Sequence, residues 1–281
     1  DSTLSASRVT LGAAVSGAHA FAVNGAATLN GGSVNTGSAA QSYSSTVDLG
    51  ADTTLTASSV TLNGAVSGVH TFTVNGDTAI NGGSVTTTGL QSYGEAMILG
   101  AATTLTSTTD TLSFVSITAS NALFNLNLDS ATRLALADID IAGDLHVITH
   151  SSSDANATPP VMAGVWQLPG TRLHVGGTST FTAHTGTNQD ADLSSLNNRF
   201  VGKLSFDEDA SGSWRDVAVT TTVNLALGPL HSGGSVNLQT QGANLQTDFI
   251  ATTHDLVVTT QGGAVSLGAA TVSGDLSLST K

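Results

Sequence analysis

The chain has 281 residues, no cysteine, a net charge of −13 at neutral pH and a hydrophobic fraction of 40%. Its seven lysines and arginines are too few for the basic face that binding to nucleic acid or to an anionic membrane surface requires. The lack of cysteine excludes disulfides, thiolate catalysis and cysteine-based zinc sites. Only 10% of the residues are charged and 4% are aromatic, whereas about a quarter of the residues in an average globular domain are charged.

The first hundred residues contain one sequence that is written twice. Residues 1–11 return as residues 52–62, and residues 19–25 return as residues 70–76, both 51 positions later. A third copy begins at residues 103–106 and then loses its similarity. A repeat of this length, made of short segments, indicates a stacked architecture.

Within residues 1–110, the region of regular 50/51-residue repeats, apolar residues stand at alternate positions between Thr, Ser, Asn and Gly. This period of two is typical of a strand with one buried face. One repeat holds too few apolar groups to fold alone, so each turn must bury its inner face against its neighbours. We therefore predict an all-β fold, a β-solenoid with Asn75 and Gly76 at a corner. The predicted interior contains Val60, Leu62, Phe72, Val74 and Ile80.

The alternation continues in degenerate form over residues 111–281, so residues 1–281 are predicted to be a single continuous β-helix segment of a longer chain. Turns of roughly 20–25 residues would give about a dozen turns and a rod about 60 Å long at a strand spacing of about 4.8 Å. Residues 149–170 contain Pro159 and Pro160 and lack periodicity, which predicts a loop that leaves the stack. This loop is either a binding site or a tolerated insertion with Trp166 lying over an exposed edge.

Several low-complexity stretches share a characteristic pattern of short strands and glycine turns. These are residues 41–56 with their echo at 91–106, residues 173–183, residues 197–204 and residues 233–238. They resemble the filamentous-haemagglutinin-like exoproteins and large repeat-containing autotransporter adhesins of Gram-negative bacteria. The resemblance implies a right-handed parallel β-helix at the extracellular surface of a bacterial cell. The implied function is that of a structural shaft segment, which mediates cell-surface attachment or contact between cells in a biofilm.

The same resemblance implies three kinds of partner. These are neighbouring β-helix segments of the same chain or filament, an outer-membrane translocator, and surface glycans or exopolysaccharide. No nucleic-acid partner and no membrane-spanning segment are expected, since no apolar run approaches the roughly 20 residues of a transmembrane helix.

A carbohydrate-binding or polysaccharide-cleaving β-helix is the alternative function. Cleavage of acidic polysaccharides needs carboxylates together with Lys or Arg in one groove. The sequence offers Arg199 and Lys203 close to Asp207, Glu208 and Asp209. It has no Gly-x-Ser-x-Gly elbow for a serine nucleophile. We predict no catalytic residues and no enzymatic activity.

One segment has the spacing of a metal-binding loop. Asp207, Asp209, Ser211 and Gly212 match the first half of a calcium loop, D-x-D-x-S-G, in which side-chain oxygens converge on the ion. Ala218 stands where the bidentate Glu is expected, so the predicted site is weak. The alternative is an acidic, solvated turn. No other cofactor is predicted.

Two further patterns favour a structural interpretation. Asp138 and Asp140 point outward from one strand, and a solvated face is favoured over a cation site there. His146 and His150 are about 13 Å apart along an extended strand, which is too far for them to share a metal ion.

Overall fold

The computed structural model describes residues 1–119, 123–151, 163–209 and 211–280. Parallel strands stack into a β-solenoid of about 13 turns, and the described residues contain no helix. The predicted fold class is therefore confirmed. The chain divides into two compact units, Asp1–Ser130 and Ala131–Lys281. Two statements stay predictions: that the chain forms one continuous segment, and that the β-helix is right-handed.

The first unit consists of short strands separated by tight turns. They are β1 (Ser2–Leu11), β2 (Val15–Ser16), β3 (Phe21–Leu29), β4 (Ser33–Asn35), β5 (Gln41–Tyr43), β6 (Val47–Leu49), β7 (Thr53–Leu62), β8 (Val66–Gly68), β9 (Phe72–Ile80), β10 (Ser84–Thr87), β11 (Gln91–Leu99), β12 (Thr103–Ser107), β13 (Leu112–Ala119) and β14 (Leu126–Ser130).

Hydrogen bonds between successive turns of this unit join residues 19 positions apart, so a turn contains about 19 residues. Parallel pairing places the inward side chains on three faces. The first face carries Leu4, Val23, Tyr43, Leu62, Ile80 and Leu99. The second face carries Val9, Ala27, Val47, Val66, Val85, Leu105 and Leu128. The third face carries Val34, Leu55, Val74, Tyr93 and Phe114.

The sequence repeat is not a whole number of turns. Val23 lies on the first face, between Leu4 and Tyr43, whereas its equivalent 51 positions later, Val74, lies on the third face, between Leu55 and Tyr93. With turns of about 19 residues, 51 residues advance the chain by two turns and two further faces. The same inner ladder is therefore rebuilt on a different face in the second copy.

The corners between faces lie inside the longer strands. The register of β7 shifts between Thr56 and Ser59, opposite Asn75 and Gly76 of β9. Gly76 has a φ of 149°, and a Cβ at this position would lie 2.1 Å from the Ala57 carbonyl oxygen, so a larger residue does not fit. The predicted corner at Asn75 and Gly76 is confirmed.

The predicted interior is also confirmed, since its five members are at most 1% exposed. One apolar residue beyond the exact repeat departs from the alternation. Val115 is 53% exposed because β13 turns a corner between Phe114 and Ser116, where its register shifts against β11. Ile117, two positions on, is again fully buried.

The second unit continues with short strands. They are β15 (Leu134–Leu136), β16 (Asp138–Ile141), β17 (Leu145–Thr149), β18 (Gly164–Gln167), β19 (Leu173–Val175), β20 (Ser179–His184), β21 (Gln189–Leu193), β22 (Arg199–Phe200), β23 (Leu204–Asp209), β24 (Trp214–Thr221), β25 (Leu225–Leu227), β26 (Leu230–Ser232), β27 (Val236–Gln241), β28 (Leu245–Thr252), β29 (Leu256–Gln261), β30 (Val265–Val272) and β31 (Leu276–Thr280).

Three faces recur in this unit. One is a seven-stranded parallel sheet in the order β15, β18, β21, β24, β27, β29, β31. On the second face β17, β20 and β23 pair in parallel, and on the third β16, β19 and β22 do so. Most inward residues of these strands are Leu, Val, Ile, Phe or Ala, which form the buried core of the unit together with a few buried polar side chains.

The prediction of a loop over residues 149–170 is wrong for the C-terminal part of that range. Gly164–Gln167 forms β18, a member of the seven-stranded sheet. The inward position at Gln167 is polar, and this hides the alternation from a reading of the sequence. Trp166 lies in this strand rather than over an exposed edge. Residues 152–162 lie outside the described residues.

Asp and Asn side chains at the start of several strands form hydrogen bonds that link successive turns. The Asp52 carboxylate accepts a hydrogen bond from the backbone N–H of Thr71, one turn later, at 2.9 Å. In every case the acceptor directly precedes an inward position of one strand, and the donor directly precedes the paired position of the next. We call these side chains the corner clamps. They are Asp1, Asp52, Asp138, Asp144, Asp190, Asp216, Asn224, Asn244 and Asp255.

Candidate functional site

The second unit carries most of the chemically versatile side chains. It holds six of the eight histidines, both tryptophans and six of the seven lysines and arginines. Two surface grooves collect many of them. The larger, which we call the histidine groove, has a volume of about 590 Å³. It is lined by His146, Ile148, Thr182, His184, Phe206, Asp207, Glu208, Asp209, Pro229 and His231.

Strand pairing explains why these residues meet. In β17, β20 and β23, outward side chains at the same register lie side by side in successive turns. Thr182 of β20 pairs with Ile148 on one side and with Asp207 on the other, and His184 pairs with Asp209. β26, which carries His231, packs against β23. The groove therefore crosses four successive strands.

Hydrogen bonds and ring contacts orient the imidazoles of the groove. His146 Nε2 lies 3.0 Å from Thr182 Oγ1. His184 Nδ1 lies 2.8 Å from Asp209 Oδ2, which makes Nδ1 the donor to the carboxylate. The ring of His150 packs edge-on against that of His184, with 4.7 Å between centroids. The side chain of His184 is thus held from two sides.

A buried tryptophan anchors the acidic side of the groove. The Trp214 backbone N–H donates to Glu208 Oε1, and its indole Nε1–H donates to the Asp207 carbonyl oxygen, both at 2.9 Å. The Trp214 ring packs edge-on against Phe206, which in turn stacks on Phe181. These aromatic contacts form the floor beneath the carboxylates.

The predicted calcium residues are adjacent, but each belongs to a different local interaction. Asp207 and Asp209 both point outward from β23, and Asp209 is paired with His184. Ser211 Oγ donates to the Thr185 carbonyl oxygen at 3.1 Å. In the part of the chain that the structure describes, no three His, Asp or Glu side chains are arranged to hold a metal. The calcium site stays a prediction.

Arg199 and Lys203, which the alternative function would group with the acidic run 207–209, have other partners. Arg199 Nη1 lies 3.3 Å from His174 Nε2, and Lys203 Nζ lies 2.6 Å from Asp248 Oδ2. The reason is geometric, because the chain turns a corner between β22 and β23. Arg199 therefore belongs to an outward row with His174 and Asp140 in preceding turns.

The second groove, on the seven-stranded sheet, has a volume of about 300 Å³, and we call it the arginine groove. The Arg215 guanidinium binds Asp190 through two N–H groups and lies 3.3 Å from Asp216. The hydrogen bond to Asp190 raises the pKa of Arg215. Arg133 lies 3.7 Å above the centre of the Trp166 ring, and its partial burial lowers its pKa.

Both grooves were missed at the level of sequence. Their members come from successive turns, and Arg215 is 25 residues from Asp190 whereas Thr182 is 36 from His146. These unequal spacings arise because turns of the second unit differ in length. The available signal was compositional: the histidines and tryptophans are concentrated after residue 130.

None of the described residues forms a helix that is long and apolar enough to cross a membrane. No known family model matches this chain, and no curated protein or solved structure matches it either.

Proposed function

We propose that this chain is a structural shaft segment of a secreted bacterial adhesin or extracellular filament, with no catalytic activity of its own. It would mediate attachment to a cell surface or contact between cells in a biofilm. Its fold is compatible with such a shaft and also with carbohydrate-binding or carbohydrate-cleaving β-helix proteins. The observation that favours the shaft is the set of corner clamps.

Each corner clamp adds a bond along the direction in which the turns stack. In Asp52 the hydrogen bond from the Thr71 N–H lowers the pKa of the carboxyl group, so the acceptor is charged at neutral pH. Hydrogen bonds to an ionised acceptor are stronger than neutral ones. Clamps occur in both units, so the reinforcement is not confined to the exact repeat. A shaft needs this arrangement because it must resist forces that pull turns apart.

The outer surface of the first unit supports the same role. Its polar side chains bond to one another across turns. These contacts are Asn24–Ser5, Asn75–Thr56, Asn81–Asn63 and Asn127–Thr104, at 2.8 to 3.5 Å. A surface on which these polar groups are already paired across turns suits a spacer that holds other parts of an adhesin away from the cell.

The proposed partners follow from this role. They are neighbouring β-helix segments of the same chain or filament, an outer-membrane translocator during export, and glycans at the surface that is bound. The proposed location is the bacterial cell surface. Antibodies raised against the chain should label intact cells of the source bacterium before permeabilisation, and labelling only after lysis would contradict this location.

A pulling experiment tests the shaft directly. We expect the chain, held at its two ends in a force spectrometer, to extend in steps the length of single turns. Asp52→Ala and Asp216→Ala together should lower the force at which turns are lost. Asp77→Ala is the matched control, because this exposed carboxylate makes no cross-turn hydrogen bond in the described residues. Equal unfolding forces for the unchanged chain, the double variant and Asp77→Ala would contradict the proposal that the clamps resist pulling.

Polysaccharide cleavage, the alternative, has less support because Arg199 lies against His174 and Lys203 is paired with Asp248. We expect no release of reducing or unsaturated sugar from acidic polysaccharides, with or without calcium. Release that is lost on Arg199→Ala or Lys203→Ala would favour the enzyme.

A further inference from the structure

We infer that the histidine groove binds a linear, uncharged glycan that lies across the strands, along the direction in which the turns stack. The inference rests on the proposed function, because a surface-exposed shaft is what brings the groove to a glycan. It adds a site and a chemical class of ligand to that function.

The dimensions of the groove fit a chain of sugar rings. Its volume of about 590 Å³ lies within the range of ordinary ligand sites, about 300–1,000 Å³. It crosses β17, β20, β23 and β26, and neighbouring strands are about 4.8 Å apart. This spacing is close to the advance of one pyranose ring along an extended glycan. Each turn can therefore present its side chains to a successive ring.

The side chains suit hydroxyl groups, which both donate and accept hydrogen bonds. A neutral imidazole has one donor and one acceptor nitrogen, and a threonine hydroxyl has both functions. His146, Thr182 and His231 place such groups on three different turns of the groove. Ile148 and Pro229 supply apolar surface beside them, against which the C–H faces of a pyranose can pack.

The charge of the groove decides between classes of glycan. Three carboxylates, those of Asp207, Glu208 and Asp209, line it, and no lysine or arginine does. A uronate, sulfate or phosphate group placed there would be repelled by like charge, which discriminates against anionic ligands. Between neutral and anionic glycans, the groove therefore favours the neutral ones.

The groove is preorganised for binding. His184 is held by Asp209 and by the ring of His150, and the buried Trp214 fixes the strand end that carries Glu208. A site whose side chains are already ordered loses less conformational entropy when it binds. The arginine groove differs, because its guanidinium groups are occupied by Asp190 and stacked on Trp166.

Calorimetry with the full chain tests the inference. The probes are neutral hexasaccharides of glucose, mannose and galactose, the matching disaccharides, a galacturonate hexamer and a hexalysine peptide. We expect at least one neutral hexasaccharide to bind, and its disaccharide to bind more weakly because it spans fewer turns. His146→Ala and Asp207→Asn should each weaken binding about tenfold or more. His254→Ala, an exposed histidine outside the groove, is the matched control and should bind normally.

Three outcomes would overturn the inference: no binding of any neutral hexasaccharide, tighter binding of the galacturonate hexamer or of hexalysine, or equal weakening by His254→Ala. Asp207→Asn preserves side-chain shape, so it keeps the test valid if His146→Ala does not fold. The shaft proposal is judged separately. A protein that binds no glycan but extends turn by turn under force leaves the shaft intact and removes only the groove.

Discussion

In the first unit, Arg8 is the only lysine or arginine, and the outer rows combine hydroxyl and amide groups bonded to their neighbours with exposed carboxylates such as Asp77. In the second unit the outer rows carry imidazole, guanidinium, indole and carboxylate groups, gathered into two grooves. The inner ladders of both units are nonetheless alike in residue type. In a solenoid the inward side chains stabilise the stack and the outward side chains form the surface. The outward side chains can therefore change without disturbing the core that holds the turns together.

The interiors also differ in how they satisfy buried polar groups. In the first unit the Gln-Ser-Tyr segments place Gln41 and Gln91 inward, and each amide bonds to backbone carbonyl groups of two turns. The buried Tyr43 and Tyr93 hydroxyl groups donate to these glutamines. In the second unit the buried amides bond to backbone carbonyl groups and also to amide and hydroxyl groups of other turns, as in Gln167–Asn198 and Gln189–Thr149.

The largest expected effect tests whether the stability of the first unit depends on its buried inner residues rather than on its surface residues. Phe72→Asp should lower the free energy of unfolding by several kcal/mol, roughly 3–5, because it places an unpaired charge in a dry interior. Val69→Asp, at a position that is 72% exposed, should change it by less than about 0.5 kcal/mol. Denaturant titration followed by circular dichroism measures both. Equal losses would refute the assignment of inside and outside.

The next effect concerns the buried glutamines. Gln91→Leu should cost about 1–3 kcal/mol, because it leaves the Val85 and Thr106 carbonyl groups without their buried donor. The control is Ser92→Ala on the outer side of the same strand. Gln189→Leu in the second unit should cost a similar amount, since Gln189 Nε2 also bonds to two backbone carbonyl groups. Tolerance of Gln91→Leu would show that these amides are not needed to join turns.

Alkaline pH should distinguish the two units. Burial raises the pKa of Tyr43 and Tyr93 above the usual value, and both of the tyrosines in the chain lie in the first unit. Above about pH 10 the unfolded chain releases protons that the folded chain retains. The stability from each buried tyrosine is therefore complete below that pH, and falls by about 1.4 kcal/mol per pH unit above it.

This difference can be measured because the reporters are separate. Tyrosinate absorbance follows the first unit, and fluorescence of Trp166 and Trp214 follows the second. Tyrosinate absorbance should stay low until well above pH 10 and should then rise steeply as the first unit unfolds. The double variant Tyr43→Phe, Tyr93→Phe should lose this alkaline sensitivity. Free titration of both tyrosines near pH 10 without loss of structure would contradict their burial.

The smallest expected effect is calcium binding at the acidic end of β23. Asp209 is paired with His184 and the Ser211 hydroxyl with a backbone carbonyl, so an ion would have to displace these contacts. We expect a dissociation constant in the millimolar class, about 10⁻³ M. Calorimetry on the chain and on Asp207→Asn with Asp209→Asn decides, and equal heats from both would dispose of the site.

The amino-acid sequence was sufficient to predict the β-solenoid, its inner residues and the corner at Asn75 and Gly76. These depend on local alternation and on glycine geometry, which act over a few residues. The polar inward residue Gln167 broke this pattern, so the strand around it was predicted to be a loop. The corner clamps were present in the sequence as Asp or Asn directly before an inward residue, but their partners lie a turn away.

Local sequence patterns are therefore enough to tell which side chains point inward and where the chain bends. Which strands lie side by side depends on how many residues each turn contains, and the sequence patterns do not give that number. Turn length sets that pairing, and the offset between paired residues varies from 18 to 34 positions along the chain. Turn length moves the 51-residue repeat from face to face and brings His146, Thr182 and His231 into one groove. A corner between β22 and β23 places Arg199 and Asp207 on different faces.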